Sequence, residues 1–457
     1  MTKITQLVGS IFDDKKFYRK MGMIATPIII QNLISSLLNM MDTVMIGKLG
    51  EIEIASVGIA NQYFFFFNMI LIGLCGGCSV FISQYWGKRD EKNIKKILGI
   101  GLLSASIIAL IFMIAGFLVP KQIISLFNND PMVTALSEKY LKIALISYIF
   151  TGISFVYNFS LRSINNAILP MTISLIALFT NIFFNYIFIF GKFGAPALGV
   201  AGAAIATVIA RAVETFLLLL SVYLSKGVLA ATLRELTDFT FDFVKKSYQI
   251  IFPVILNDMC WGLASLVYAA VYGHMGAQAV AVIQICNTIN NLFMVITFGL
   301  SSSASIMIGN SIGAEDEDQG RDYAKKIIAI SFLLSLVLGG MLAITSPFIL
   351  NLFNVSSGVR SSAQTILYII SFIFFIRVIG IVLVVGVLRG GGDAGRALII
   401  EGFTMWFIGV PLTIIGAFVF RFPVHTVYAL ALVEELVKCI LAFMRIKSGK
   451  WIKNVTN

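Results

Sequence analysis

Long apolar stretches separated by short polar ones run the length of the chain, and most reach about 20 residues, enough to cross a roughly 30 Å hydrocarbon core at 1.5 Å per residue. They fall near residues 23–46, 57–83, 97–119, 140–160, 168–190 and 198–224, then near 248–272, 281–308, 327–350, 364–388, 397–419 and 425–444. The second set repeats the first. Displaced by 226 positions, Pro27 falls on Pro253, Asn32 on Asp258, Gly47 on Gly273, Gly50 on Gly276, Asn61 on Asn287, Gly73 on Gly299, Ser79 on Ser305, Gly87 on Gly313 and Asp90 on Asp316. A period of half the chain carried by apolar segments predicts two similar bundles, with function where the copies face each other. The expected fold is an all-α polytopic membrane protein of twelve transmembrane helices in two pseudo-twofold related six-helix bundles. These are residues 1–224 and 247–457, joined by a linker at 225–246 that has no long apolar run.

Polar positions inside the runs are ordered rather than scattered. In the first run Asn32, Ser35 or Ser36, Asn39 and Asp42 recur at steps of three and four, which places them on one helix face that must meet protein or water, since lipid satisfies none of them. The seventh run repeats this stripe as Asp258, Trp261, Ser265 and Tyr268. Asn61, Gln62 and Asn68 follow in run two and Gln284, Asn287, Asn290 and Asn291 in run eight; such residues serve either as glue between helices or as a cavity lining. Asn158 on run four and Asn181 and Asn185 on run five add polar positions to the first half. Gly73 and Gly77 form a G-x-x-x-G pair suited to close helix packing. The loops Gly87-Lys88-Arg89-Asp90 and Gly313-Ala314-Glu315-Asp316 match, as do Leu161-Arg162-Ser163 and Leu388-Arg389-Gly390, whose arginines read first as interfacial anchors.

Composition agrees with this pattern. Hydrophobic residues are 58% of the chain, charged residues 12%, and the mean hydropathy is +0.92, which excludes an ordinary soluble fold. The net charge of +11 is explained without nucleic acid: with the N-terminus inside, about 24 Lys and Arg fall in inner segments and about seven in outer ones. The expectation is a multi-pass protein of the cell membrane with both termini cytoplasmic. No cleavable signal peptide is predicted before the first span, and 13–20 reads as an interfacial lead-in. The five cysteines all lie in apolar runs; the C-x-x-C of Cys75 and Cys78 has no second pair and no nearby histidine, so it reads as packing and no metal site is expected.

Charged residues within spans are functional candidates unless a partner is at hand. Arg211 and Glu214 are three apart, and Glu434 and Lys438 four apart with Glu435 alongside, so local ion pairs are expected for these groups. Asp42, Asp258, Arg377 and Glu401 have no partner on their own helix; Arg377 and Glu401 either pair across helices or line the path. Enzymatic chemistry finds no support: there is no G-x-x-x-x-G-K-[ST], H-E-x-x-H or G-x-S-x-G motif. Gly390-Gly391-Gly392-Asp393 matches the G-x-G-D of intramembrane aspartyl proteases, but the Tyr-Asp dipeptide of that class is missing.

Four motifs in order carry a resemblance: Asp42-Thr43-Val44-Met45-Ile46-Gly47-Lys48-Leu49-Gly50, Gln84-Tyr85-Trp86-Gly87, Pro253-Val254-Ile255-Leu256-Asn257-Asp258 and Leu388-Arg389-Gly390-Gly391-Gly392-Asp393. With the spans and the repeat, the chain resembles the multidrug and toxic compound extrusion (MATE) family over essentially its whole length. The resemblance implies two six-helix bundles around a central cavity and cation-coupled export of amphipathic organic cations. Asp42 matches the family's first-helix aspartate used in cation coupling, and Asp258 lies close to the seventh-helix acid of the Na⁺-coupled branch. Arg377 and Val378 stand where that branch has a tenth-helix acid, which favours H⁺ over Na⁺ as the coupling ion.

The expected mechanism is alternating access. Asp42 would alternate between a neutral and an ionised form, Asp258 would hold positive charge in the cavity, and Tyr63, Tyr157, Trp261 and Tyr268 would stack on a flat cation. The expected cavity set is Asn32, Ser35, Asn39, Asn61, Tyr63, Asn158, Asn181, Asn185, Trp261, Tyr268, Gln284, Asn287, Asn291, Arg377 and Glu401. Small cationic substrates and the bilayer are the expected partners, a monomer the functional unit, and no cofactor beyond the coupling ion is needed. The rival is a lipid-linked oligosaccharide flippase of the same superfamily, which would prefer a strongly basic cavity.

Overall fold

The computed structural model describes residues 14–456 apart from 129, 352 and 354, and every regular element among them is helical. In chain order the elements are α1 (Lys15–Gly47), α2 (Glu51–Lys88), α3 (Glu91–Leu118), α4 (Pro120–Ser125), α5 (Pro131–Ala144), α6 (Ser147–Ser163), α7 (Ile168–Phe190), α8 (Val200–Ser225) and α9 (Leu233–Leu236). The rest are α10 (Phe241–His274), α11 (Ala277–Gly313), α12 (Glu317–Leu350), α13 (Ser357–Ile381), α14 (Ala394–Thr404), α15 (Val410–Ile414), α16 (Val424–Ala431) and α17 (Val433–Lys447). π-Helical turns extend α13 over Val382–Leu388 and flank α15 at Met405–Gly409 and Ile415–Val419.

Ten continuous helical runs among the described residues are long and apolar enough to cross a bilayer, and α5 with α6, bent by 52°, makes an eleventh. The twelfth predicted span is occupied by α16 and α17, which meet at Leu432. The helices outrun their apolar stretches: α2 spans Glu51–Lys88 where hydropathy alone marks 57–83, because its polar ends continue the helix beyond the hydrocarbon. Asp13 of the expected lead-in lies outside the described residues; from Lys15 on, that segment is the first turns of α1. Likewise α10 begins at Phe241, within the segment expected to be linker.

Two compact units make up the chain: Ile30–Ile255, and the residues up to Ile29 together with Leu256 onward. Both changeovers fall two residues past a helix-internal proline, Pro27 in α1 and Pro253 in α10. Proline lacks an N–H and crowds the carbonyl one turn back, so each helix is locally weakened near the point where the chain changes unit. The halves also match in local geometry. Arg89 and Glu315 both take the left-handed conformation (φ 58° and 63°), and Asp90 and Asp316 then cap the next helix by accepting from the Asn93 and Gln319 amides.

Packing in the Ile30–Ile255 unit centres on α2. Phe67 stacks on Tyr148 with centroids 4.4 Å apart, and the Tyr63 hydroxyl donates to the Phe112 carbonyl at 2.9 Å. Gly73 and Gly77 admit the backbone of α10, since an added Cβ would lie 2.6 Å from Ile255 Cα and 2.7 Å from Ile251 Cα. The linker docks by polar contacts: Thr232 and Glu235 form a reciprocal cap on α9, and Glu235 accepts from Lys95 at 2.7 Å. In the other unit Lys326 meets Asp14 at 2.7 Å, and Phe17 packs on Tyr323 at 5.3 Å.

Two tests follow from this packing. Gly77→Val should lower detergent-solubilised stability by about 1–3 kcal/mol, read from the thermal midpoint, whereas Gly58→Ala, with nothing within 4 Å of the added Cβ, should not lower it and should raise it by up to about 1 kcal/mol. Lys95 first, and then the Thr232 amide and hydroxyl, hold the Glu235 carboxyl down to about 2 from its ordinary 4.5. A depressed carboxyl favours docking above its free value and loses that contribution as pH falls through the bound one. Hydrogen-exchange protection factors across 226–240, taken relative to the intrinsic rate at each pH, should therefore hold down to about pH 4.5 and fall toward about pH 2, and Glu235→Gln should lower them at neutral pH.

Candidate functional site

Asp42 lies on α1, five residues before the helix ends at Gly47. Its position is set by an apolar seam in which Ile34 and Leu38 of α1 pack with Leu178 of α7, flanked by Met171 and Ile182. Steps of four (34, 38, 42 and 178, 182) keep this seam on one side of each helix, so the same faces carry Asp42 and the pair Asn181 and Asn185. Both asparagines are fully buried. Asn185 Nδ2 donates to Asp42 Oδ1 at 2.5 Å and to Asn181 Oδ1 at 2.8 Å, leaving Asn181 Nδ2 and Asn185 Oδ1 without a hydrogen-bond partner among the described residues. No Lys or Arg forms an ion pair with Asp42 among the described residues. A carboxyl that meets only amides, beside an unused amide oxygen, is equipped to bind and release a proton or a small cation.

A second polar network crosses the same unit. Gln31, buried on α1, donates to Ser174 at 2.9 Å and accepts from Arg162 Nε at 3.1 Å and Nη2 at 2.5 Å. Ser174 reaches Glu214 at 3.4 Å, and Glu214 pairs with Arg211 at 2.8 Å as the three-residue spacing predicts. The other unit has the counterpart. Arg389 meets Asp258 at 2.5 Å, with the same separation of 131 residues that joins Arg162 to Gln31. Asn257 donates to Glu401 at 2.7 Å, and Lys438 lies 3.9 Å from Glu401 and 2.6 Å from Glu435. Arg377 pairs with Glu435 at 3.6 Å and donates to Asn290 at 3.3 Å. Tyr268 donates to Glu434 at 3.0 Å.

Several expectations change here. Arg389 is buried and charge-paired rather than a free interfacial anchor, because Asp258 supplies the carboxylate that makes its burial tolerable. Arg162 likewise turns inward to Gln31. Lys438 takes Glu435 and Glu401 as partners, not Glu434 four residues away, since Glu434 faces Tyr268. Arg377 and Glu401 do not pair with each other; each has its own partner on another helix. Asp393 of the G-x-G-D match is fully buried between Arg445 at 2.7 Å and Lys453 at 2.6 Å, and the Lys453 amide donates to the Gly391 carbonyl at 2.7 Å. Two cations fix that carboxylate, and Trp451, 2% exposed, closes over Gly391.

The remaining predicted residues are dispersed. Ser35 donates to the Gln31 carbonyl of its own helix; Asn39, Asn61, Gln284, Asn287 and Asn291 are exposed, as is Trp261 at 41%, and Asn32 is half-buried. Asn158 is buried with its Oδ1 unpartnered, while Tyr63 and Tyr157 are held within helix packing. The structure thus gathers Asp42, Asn181 and Asn185 in one half, and Asp258, Arg377, Glu401 and Tyr268 in linked networks in the other. Gln31, Ser174 and the Tyr268–Glu434 contact escape a reading by span. A repeat displaced by 226 or 227 residues marks two of them, because Gln31 falls on Asn257 or Asp258 and Ser174 on Glu401.

An all-helical chain whose two halves repeat, each burying carboxyls in cross-helix networks, is a multi-pass membrane transporter by construction. The family model MatE matches residues 27–187 and again 253–415, so the chain belongs to the MATE family. It is 25% identical over 409 residues to the probable multidrug resistance protein YoeA of Bacillus subtilis, covering 87% of this chain and 86% of that one. Against the probable multidrug resistance protein NorM of Thermotoga maritima it is 23% identical over 437 residues, with 94% and 92% covered. Among solved structures, a MATE protein in its bent conformation superposes with a TM-score of 0.87 at 19% identity over 96% of this chain and 97% of that one.

The ion network is open to a direct test. Lys438→Met should destabilise the protein by about 3–5 kcal/mol by leaving Glu401 without an ion pair among the described residues, and adding Glu401→Gln should recover part of the loss in a detergent melting assay. Equal stability of the single variant and the wild type would refute the pairing.

Proposed function

We propose that the protein is a secondary active exporter of amphipathic organic cations, including drugs and toxic metabolites, driven by cation antiport with H⁺ as the coupling ion. The observation that carries this reading is the Asp42 site. Its carboxyl is met by the Asn185 amide and by no ion-pair partner among the described residues, so its charge is free to change during a cycle. The ionised form attracts a cation, and an arriving proton removes that attraction and releases the cation on the other side. A proton needs one oxygen of Asp42 and nothing further. Binding Na⁺ would also have to recruit the Asn185 and Asn181 oxygens. Membership of the MATE family and the names of the relatives support export of drugs; the excess of basic residues in alternate loops supports a cell-membrane protein with both termini cytoplasmic. The reading takes the monomer as the working unit.

Efflux of a fluorescent organic cation from proteoliposomes, under a pH gradient alone or a Na⁺ gradient alone, tests this. The pH gradient should drive efflux and the Na⁺ gradient should not, and Asp42→Asn should lower the pH-driven rate by about tenfold or more, a difference of about 1.4 kcal/mol. Efflux driven by Na⁺ alone would overturn the choice of ion, and unchanged efflux in Asp42→Asn would overturn the site.

A further inference from the structure

The half of the chain that follows Leu256 contains a buried carboxyl that its ion pairs leave over. Asp258, Glu401, Glu434 and Glu435 face Arg377, Arg389 and Lys438 in the networks above, four acids against three bases. Arg389 is taken by Asp258, Arg377 by Glu435, and Lys438 by Glu435 and Glu401. No Lys or Arg pairs with Glu434 among the described residues, although it is only 7% exposed. It accepts from the Tyr268 hydroxyl instead. An ionised carboxyl buried without a cation is costly, and a bound proton removes the cost.

The repeat gives this pair a place. Tyr268 stands 226 residues after Asp42, at the same step of the polar stripe, and Glu434 stands 227 after Thr207. In the first half, Tyr140 lies near both Thr207 and Asp42, so the two positions border one site there as well. The second half has moved the acid from the first helix of the repeat to the sixth. The site is also shaped for the contact. Gly409 ends the π-helical turn Met405–Gly409, and a Cβ there would collide with both Glu434 Oε2 and the Tyr268 hydroxyl. Tyr268 packs on the apolar cluster Ala264, Met405 and Val410 beside Trp406, whose buried indole N–H has no partner.

We infer that Glu434, hydrogen-bonded by Tyr268, is a second proton-binding residue of the transporter, a counterpart of Asp42 in the other half. This rests on the exporter reading for its role in coupling, but not for the presence of the proton. The groups facing Glu434 are Tyr268 and Tyr272 from α10, Glu401 from α14, and Glu435 and Lys438 from its own helix. Lys438 is already held by two carboxylates, which leaves Glu434 to titrate.

The test is infrared spectroscopy of the full chain in lipid nanodiscs, following the C=O stretch of protonated carboxyls through a pH titration. One component of that band should vanish in Glu434→Gln and persist in Asp42→Asn. In Tyr268→Phe and Gly409→Ala, which retain the acid, it should persist but shift in frequency as the hydrogen bond is lost. A band unchanged in Glu434→Gln, or unshifted in both other variants, would overturn the inference. Protons released per fluorescent cation bound by the wild type should fall about twofold in Glu434→Gln. An unaltered count would overturn the coupling role. Should the wild type show the band but no pH-driven efflux, the exporter reading fails while the proton site stands.

Discussion

Charge inside a lipid-embedded helical bundle has to be answered from another helix, and that constraint decides which faces of these helices meet. Water is not at hand to satisfy a carboxylate or guanidinium, so each buried charge selects a rotation and a depth for its helix. The Arg389–Asp258 pair fixes α10 against the C-terminal end of the α13 run, and the Lys438 contacts bind α17 to α14. Apolar packing against lipid is nearly neutral between alternative rotations, because lipid tails are as apolar as leucine. Polar contacts therefore supply the specificity, while small residues such as Gly73 and Gly77 allow the approach.

The halves answer that constraint with the same positions and different chemistry. Gln31 alone receives Arg162 and reaches Ser174, a task that Asp258 and Asn257 divide in the second half. An amide facing a guanidinium leaves a positive charge without a counter-ion, whereas a carboxylate facing it makes a neutral pair. Ser174 becomes Glu401, and Arg211 becomes Lys438, at a displacement of 227. Within its spans the first half thereby holds Asp42 outside the ion pairs, in a mainly amide setting. The second half buries a dense ionic network. Duplication preserved where the polar groups stand, and divergence altered which of them carry charge.

Much of the fold was legible because the physics behind it is local. Apolar length marks spans, and Arg211 with Glu214 pair as their spacing requires. The matched loops were readable too, since a helix that ends in a left-handed turn at Arg89 or Glu315 needs the aspartate that follows to cap the next one. Legibility ended where helix rotation and distant sequence decide. Lys438 has three acids within reach in principle, and only the packed arrangement shows that Glu435 and Glu401 take it. Arg162 and Arg389 look like interfacial anchors in one dimension; their partners lie 131 residues earlier. For the candidate site, the stripe on α1 and the Asn181–Asn185 pair were each visible, but their meeting at Asp42 depends on the seam of Ile34, Leu38 and Leu178.

The Gly390–Asp393 turn shows how a motif can mislead until its surroundings are known. Asp393 resembles a catalytic acid only while its neighbours are ignored; with Arg445 and Lys453 against it, its carboxylate is committed to two ion pairs. Its function follows from what it holds. The turn begins at Arg389, and Asp393 ties the turn to the C-terminal segment through two ion pairs, the Lys453 amide and the covering Trp451. Each glycine is required by a neighbour: Gly390 lies against the Ser305 backbone, Gly391 against Trp451, and Gly392, at φ 84°, against the Lys453 carbonyl. A turn held on three sides places the Arg389 guanidinium with little freedom. The strength of the Arg389–Asp258 pair then depends on residues more than fifty positions further along the chain, and the C-terminal segment is part of the ionic network rather than an appendage to it.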